Sequence, residues 1–319
     1  MKRLRLAYVF TLFLSLLAPG CAQTVLPPWQ PSSGHVQVPI WKTTIPDARP
    51  STGPETLKNT GPQSPVAGRE WNYINNASVP TMTVYKPKTN TTGAAVVVFP
   101  GGGYQILAID LEGTEVCDWL IAKGITCVLL KYRVPGEGVL PKSGAYPQSK
   151  EALEDAQRTV GLVRFHAKEW GIDPKKIGVL GFSAGGHLVA AMSVHWDKRI
   201  YARTDAADDV SCRPDFAVAL YPGHLSMAAN TITLNPDIRD HITKLTPPTF
   251  LLQNEDDDVD RVEDSISYFM ALKKIGVPAE LHVYAQGGHA FGLRPTQYPA
   301  TRWPRLVETW LGTLGILRE

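Results

Sequence analysis

Three short stretches of this 319-residue chain hold residues whose types and spacing could do chemistry together. The first is Gly181-Phe182-Ser183-Ala184-Gly185-Gly186, a serine with glycine two positions away on either side. It follows the strand-like run Lys176–Leu180 and opens a helical stretch at Ala184, so Ser183 stands at a strand-to-helix turn. A serine hydroxyl is a poor nucleophile until a base takes its proton, and a sharp turn holds that hydroxyl clear of the sheet. Side chains at Gly181 or Gly185 would collide with the incoming strand or the outgoing helix. The bare pattern arises often by chance; its placement between strand and helix makes Ser183 the candidate nucleophile.

The second stretch, Pro100-Gly101-Gly102-Gly103-Tyr104, comes straight after the apolar run Ala95–Phe99. The N–H groups of Gly102 and Gly103 are expected to converge with that of Ala184 on a developing oxyanion, each donor being worth roughly 10²–10³ in rate. The bland reading is a glycine turn. A phosphate loop is disfavoured, because no Gly-x-Gly-x-x-Gly opens a helix and no Gly-Lys-Ser/Thr follows. The third stretch is Gly287-Gly288-His289-Ala290-Phe291-Gly292, on a loop past the last strand pattern, where His289 could reach Ser183 as a general base. His187, one turn into the helix after Ser183, and His282, inside a strand, suit packing better. His35, His166, His195, His224 and His241 lack a comparable setting. An acid that orients the imidazole should lie between serine and histidine, and the run Asn254-Glu255-Asp256-Asp257-Asp258-Val259-Asp260 supplies several carboxylates there. Spacing alone does not choose among them.

These loops need a frame. Apolar runs of the fully buried kind recur at Ala95–Phe99, Ile125–Tyr132, Ile177–Phe182, Phe216–Tyr221, Thr249–Gln253 and Leu281–Tyr284. Between them lie amphipathic stretches, clearest where Leu153, Ala156, Val160, Val163 and Ala167 step by three and four, with others near 110–123, 184–195, 262–275 and 303–316. That alternation predicts a mostly parallel sheet with helices on both faces. Trp71–Ile74 and Thr81–Lys86 read as two early strands suited to an antiparallel edge. Residues 23–69, rich in Pro, Ser, Thr and Gly, read as an extended segment wrapping over a catalytic domain spanning 70–319. No stretch is left for a large cap, although the loops near 133–148 and 196–214 could roof the site.

The first 22 residues read as a secretory signal: Lys2, Arg3 and Arg5, then an uncharged run from Leu6 to Ala18 too short to span a bilayer, then Gly20 and Ala22 before a cut at Gln23. Lipid attachment at Cys21 is the lesser alternative, disfavoured by Pro19. Cleavage removes three basic residues and no acidic one, taking the formal charge from +2 to −1. Near neutrality there is no electrostatic case for nucleic-acid or anionic-membrane binding. Cys117, Cys127 and Cys212 remain, an odd number with no Cys-x-x-Cys, so neither a disulfide framework nor a zinc site is expected. One disulfide is permitted by export, but buried free thiols are the expectation.

Taken together, PGGGY, GFSAGGH, LLQNEDDDVDRVEDS and ELHVYAQGGHAFG make the chain resemble the acetyl-esterase/lipase and acetylxylan-esterase-like group of α/β-hydrolases, close to the BD-FAE esterases and the hormone-sensitive-lipase relatives, over roughly residues 70–317. The family pattern D-D-P-V-x-x-V-E-N-S falls on Asp256 to Ser265, which assigns the acid to Asp257, with Asp256 second. Relatives usually carry Val-Pro where this chain has Asp260-Arg261, so a local difference is expected in that loop. Pro100 replaces the histidine of the lipases' His-Gly-Gly-Gly, keeping the backbone donors and losing a side-chain hydrogen bond behind them. The resemblance implies an α/β-hydrolase fold and hydrolysis of short-chain carboxylic esters without metal or organic cofactor. Acetylated plant polysaccharide or its oligomers is then the leading natural substrate. Two other classes compete. A prolyl-oligopeptidase-type peptidase carries a propeller domain for which too few residues precede Arg69, and a non-catalytic binder would normally have lost Ser183 or His289.

Overall fold

A strand buried on both faces must be covered on both, and the order of the strands here decides where the covering helices end. The computed structural model describes residues 28–48, 53–89, 91–137, 149–228 and 230–317; the expected signal segment, Cys21 and residues 138–148 of one expected roof loop lie outside them. Eleven strands are present among the described residues: β1 (Gln37–Pro39), β2 (Thr56–Asn59), β3 (Asn72–Asn75), β4 (Thr81–Tyr85), β5 (Ala95–Phe99), β6 (Ile106–Leu107), β7 (Thr126–Lys131), β8 (Ile177–Phe182), β9 (Ala217–Leu220), β10 (Thr249–Asn254) and β11 (Ala279–Tyr284). Eight of them form one sheet in the order β1-β4-β7-β5-β8-β9-β10-β11. β4 runs against both its neighbours, and every pairing from β7 to β11 is parallel. Every residue of β5, β7, β8, β9 and β10 is buried, as continuous apolar runs predict.

The helices are α1 (Glu115–Ala122), α2 (Lys150–Phe165), α3 (Ala167–Trp170), α4 (Ala184–Val194), α5 (Pro236–Arg239), α6 (Val262–Ile275) and α7 (Trp303–Thr313). Consecutive strand residues point to opposite faces. At the end of β8, the Phe182 ring meets Trp303 of α7, while a Cβ on Gly181 would strike the backbone of Gly185 in α4. These two helices therefore cover opposite faces, as the alternation of strands and helices requires. α1 stands with α7, joined by Trp119 against Trp303 and by a Trp119 indole N–H donated to Glu308.

Six local features differ from the sequence reading. The run Leu281–Tyr284, expected to be fully buried, lies in β11 at the edge of the sheet and is only half-buried, with Val283 exposed. β3 joins a separate three-stranded sheet, β2-β3-β6, and β4 alone supplies the antiparallel strand next to β7. The N-terminal segment is built into the protein: β1 pairs with β4, and Trp29, Ile40 and Trp41 are buried in the core. The Trp41 indole donates to Asp155 (2.9 Å) and Arg158 donates to the Ile40 carbonyl (3.0 Å), so α2 holds the segment with buried polar groups that periodicity does not reveal. The helical stretch near 110–123 is a π-helical turn, Asp110–Thr114, leading into the shorter α1. Finally, Cys117 of α1 and Cys127 of β7 form a disulfide, with Cα atoms 5.2 Å apart, where free thiols were expected. α1 turns back onto β7 within ten residues, which brings the two sulfurs together; Cys212 is free and buried. The 196–214 loop, offered as a roof, is instead tied to α2 by Arg158 to Asp205 and Asp208, and by Arg199 to the Gln157 carbonyl.

Candidate active site

Parallel strands deliver their following loops to one edge of the sheet, and four such loops meet here, after β5, β8, β10 and β11. Ser183 links β8 to α4 in a backbone conformation that side chains rarely adopt, φ 51° and ψ −119°. Its N–H is held by the Leu220 carbonyl at 3.0 Å. The flanking glycines are sterically required. A Cβ on Gly185 would lie 2.0 Å from the Phe99 carbonyl oxygen at the end of β5, and one on Gly181 would lie 2.2 Å from the Gly185 oxygen.

His289 Nε2 lies 3.0 Å from Ser183 Oγ, and His289 Nδ1 lies 2.7 Å from Asp257 Oδ2. Asp257 is further fixed by Gln253, which donates to Oδ2 at 3.0 Å, and by the N–H groups of Val259 and Asp260 on Oδ1. The structure thus brings Ser183, His289 and Asp257 into one hydrogen-bonded chain. Asp256 takes no part in it. Its carboxylate accepts the N–H groups of Gly287 (2.9 Å) and Gly288 (2.8 Å), while Asn254 donates to the Gly288 carbonyl. These bonds pin the loop that presents His289. The far side of that loop is anchored by Trp303, which donates to the Gly292 carbonyl at 2.7 Å.

Gly102 (φ 131°) and Gly103 (φ 62°) line a cleft of about 200 Å³ together with Trp71, Leu111, Ser183 and His289. Ala184, buried at the first turn of α4, follows directly on Ser183. The Gly102 carbonyl accepts from the N–H groups of Gln105 and Ile106, each at 3.0 Å, which folds the loop back. Among the described residues no hydrogen bond engages the N–H groups of Gly102, Gly103 or Ala184. Behind the loop stands Glu112, which accepts Gly101 N–H (2.8 Å) on one oxygen and Tyr221 O–H (2.8 Å) on the other. Glu112 thus supports the glycine loop from behind, next to the position where the lipase-type histidine is missing.

Sequence reasoning missed Glu112 and Asp260. Glu112 sits on the π-helical turn, a feature often found at functional sites, but nothing in the sequence marks that turn. Asp260 had a signal, the departure from Val-Pro in the family pattern; Ser183 Oγ donates to its Oδ2 at 3.0 Å. His187 is buried in α4 and bonded to Tyr104 O–H, a packing role as expected. A larger groove of about 720 Å³, between Ile232–Leu234 and α6, contains none of these groups. His195, Asp237 and His241 bring one ligand atom each within 4.8 Å of one another, but none of them lines the Ser183 cleft.

Burial dominates the electrostatics of the site. It raises the Glu112 carboxyl above its ordinary range and lowers the His187 imidazole to about 3. Burial also opposes the His289 imidazolium, but the Asp257 hydrogen bond and the charges of Asp257, Asp260 and Glu112 outweigh it and raise that group. A neutral imidazole between a hydroxyl and a carboxylate can take the hydroxyl proton and hold it as a stabilised cation.

The BD-FAE family model matches residues 82–221, from β4 through the Ser183 turn to the end of β9. The chain is 29% identical, over 66% of its length, to an acetylxylan esterase of Xylanibacter ruminicola. It is 29% identical, over 69% of its length, to endo-1,4-beta-xylanase B of Butyrivibrio fibrisolvens. It spans only 43% and 36% of those two relatives, so each has further sequence beyond the match. Among solved structures, an acetyl ester-xyloside bifunctional hydrolase from Caldicellulosiruptor lactoaceticus superposes with a TM-score of 0.68 at 32% identity, covering 88% of this chain and 97% of that one.

Proposed function

Because this chain belongs to the acetyl-esterase-like, BD-FAE-like family of α/β-hydrolases, we propose that it is a serine carboxylic-ester hydrolase acting on short-chain, acetyl-type esters. The observation that carries this reading is the unbroken hydrogen-bond chain from Ser183 through His289 to Asp257, opening on a cleft lined by Gly102 and Gly103. Ser183 attacks the ester carbonyl as its proton passes to His289 Nε2, and Asp257 holds the Nδ1–H tautomer. The oxyanion is received by the N–H groups of Gly102, Gly103 and Ala184. His289 returns the proton to the departing alcohol, and water repeats the sequence on the acyl-enzyme.

Acetylated xylan or its oligomers is the proposed natural substrate, supported by similarity to proteins named for acetylxylan and acetyl ester-xyloside hydrolysis. The test is hydrolysis of acetylxylan and of a nitrophenyl ester series, with and without a serine-directed phosphonate. A cleft of about 200 Å³ favours acetyl to butyryl chains. Activity that rises toward palmitoyl esters would contradict that preference, and full activity after phosphonate treatment would contradict serine chemistry. Export with cleavage before Gln23 is proposed from the first 22 residues. An intact mass from the native host equal to residues 23–319 supports it, and a diacylglyceryl-modified chain beginning at Cys21 overturns it.

A further inference from the structure

Asp260 places a second carboxylate on the nucleophile. Its Oδ2 accepts the Ser183 hydroxyl at 3.0 Å and stands 3.6 Å from His289 Nε2, which is itself 3.0 Å from Ser183 Oγ. Three atoms that can exchange a proton, from the β8, β10 and β11 loops, form a closed triangle. The serine hydroxyl has one proton and cannot donate it along two sides at once. The arrangement is closely built. Asp260 is 1% exposed, its N–H donates to Asp257, and its carbonyl accepts from Gln253. A Cβ on Gly223 would lie 2.4 Å from Asp260 Oδ1, so the neighbouring loop leaves room for the carboxylate only as glycine. Oδ1 has no hydrogen-bond partner among the described residues, with His224 Nε2 3.9 Å away.

We propose that Asp260 is a further catalytic residue, a second proton acceptor on Ser183 that shares the site's proton with His289 through the serine hydroxyl. The proposal rests on the reading of Ser183 as nucleophile and His289 as base. With Asp260 protonated, its O–H donates to Oγ and leaves the serine proton for His289, the direction that acylation needs. With Asp260 ionised, the carboxylate competes for the serine proton and stabilises the His289 imidazolium. The two singly protonated forms interconvert when the imidazolium Nε2 proton moves to Oγ as the Oγ proton moves to Oδ2, so charge and atoms balance. The groups facing Asp260 are Ser183, His289, Asp257 of its own loop, Asp264 of α6 and His224 of the loop after β9. Burial, followed by opposing effects in which the His289 charge lowers and the Asp257 charge raises, leaves the Asp260 carboxyl at about 7, where both forms are populated at neutral pH.

The test is Asp260→Asn, which keeps the shape and can donate to Oγ but carries no charge. A carboxylate beside His289 favours its charged form, so removing it lowers the pH at which His289 gives up its proton. In the wild type the acid limb of kcat/KM for a nitrophenyl ester is expected to spread over two protonation steps. In the variant it is expected to become a single step with its midpoint lower by about 1 pH unit or more. Asp260→Val, which removes the acceptor altogether, should move the limb the same way, and circular dichroism identifies whichever variant is folded. A second measurement needs no turnover: NMR titration of histidine labelled at Cε1, with His289 assigned through His289→Gln. An unmoved His289 midpoint overturns the proposal even in an active enzyme. A lowered midpoint in a protein that hydrolyses no ester overturns the esterase reading and leaves the shared proton standing.

Discussion

Asp256, Asp257 and Asp260 lie within five residues of one another, and their carboxylates bind three different partners: the backbone of the His289 loop, the His289 ring and the Ser183 hydroxyl. Their roles therefore separate by mutation. Asp257→Asn puts an amide against Nδ1 and favours the wrong tautomer, and kcat is expected to fall by about 10⁴. Asp256→Asn keeps a carbonyl acceptor for Gly287 and Gly288, and a loss of roughly tenfold or less is expected. Parallel measurements of kcat decide the assignment; a greater loss at Asp256 would reverse it. Ser183→Ala is expected to lower ester hydrolysis by about 10⁴ or more while leaving the circular dichroism spectrum unchanged. Wild-type turnover in that folded variant would remove the nucleophile assignment altogether.

Single elements hold the site at two levels. The π-helical turn before α1 places Leu111 on the cleft and Glu112 beneath the Gly101 N–H, so the start of α1 supports the loop that leaves β5. The Cys117–Cys127 disulfide then ties α1 to β7 across a sequence separation of ten residues. Closing a loop of that size removes freedom chiefly from the unfolded chain and is worth about 2–3 kcal/mol. Replacing both cysteines with serine is expected to lower the unfolding free energy by that amount, with little change in kcat. Urea unfolding with and without reductant gives the measurement; identical curves for wild type and double variant would show that the bridge contributes nothing.

Across the whole molecule, the N-terminal segment belongs to the same structural unit as the Ser183 site. Trp41 is 5% exposed, its indole N–H satisfies the buried Asp155, and Asp155 in turn binds Arg133 through two oxygens. Trp41→Ala leaves both a cavity and a weakened buried ion pair, so a loss of about 3–5 kcal/mol is expected by urea unfolding. A change near zero would restore the picture of a loosely wrapped leader.

By itself the sequence determined the Ser183 turn, the glycine loop, the His289 loop and the buried strands β5, β7, β8, β9 and β10, because each is a local event, whereas β11 has an apolar run but sits half-buried at the sheet edge. A strand-helix junction that must raise a hydroxyl needs glycine at 181 and 185, and a strand covered on both faces must be apolar along its length. Asp257 was singled out through a family pattern, and spacing alone left it level with Asp256 and Asp260. What only the tertiary structure decided are relations between separate elements of the chain. β1 pairs with β4 across more than forty residues, Cys117 meets Cys127 because α1 folds back onto β7, and Glu112 comes to rest under Gly101. Asp260 is one of several carboxylates in an acidic run, indistinguishable by spacing, until the β8, β10 and β11 loops converge. Burial then removes the water that would have hydrated it and leaves the Ser183 hydroxyl as the donor to its Oδ2.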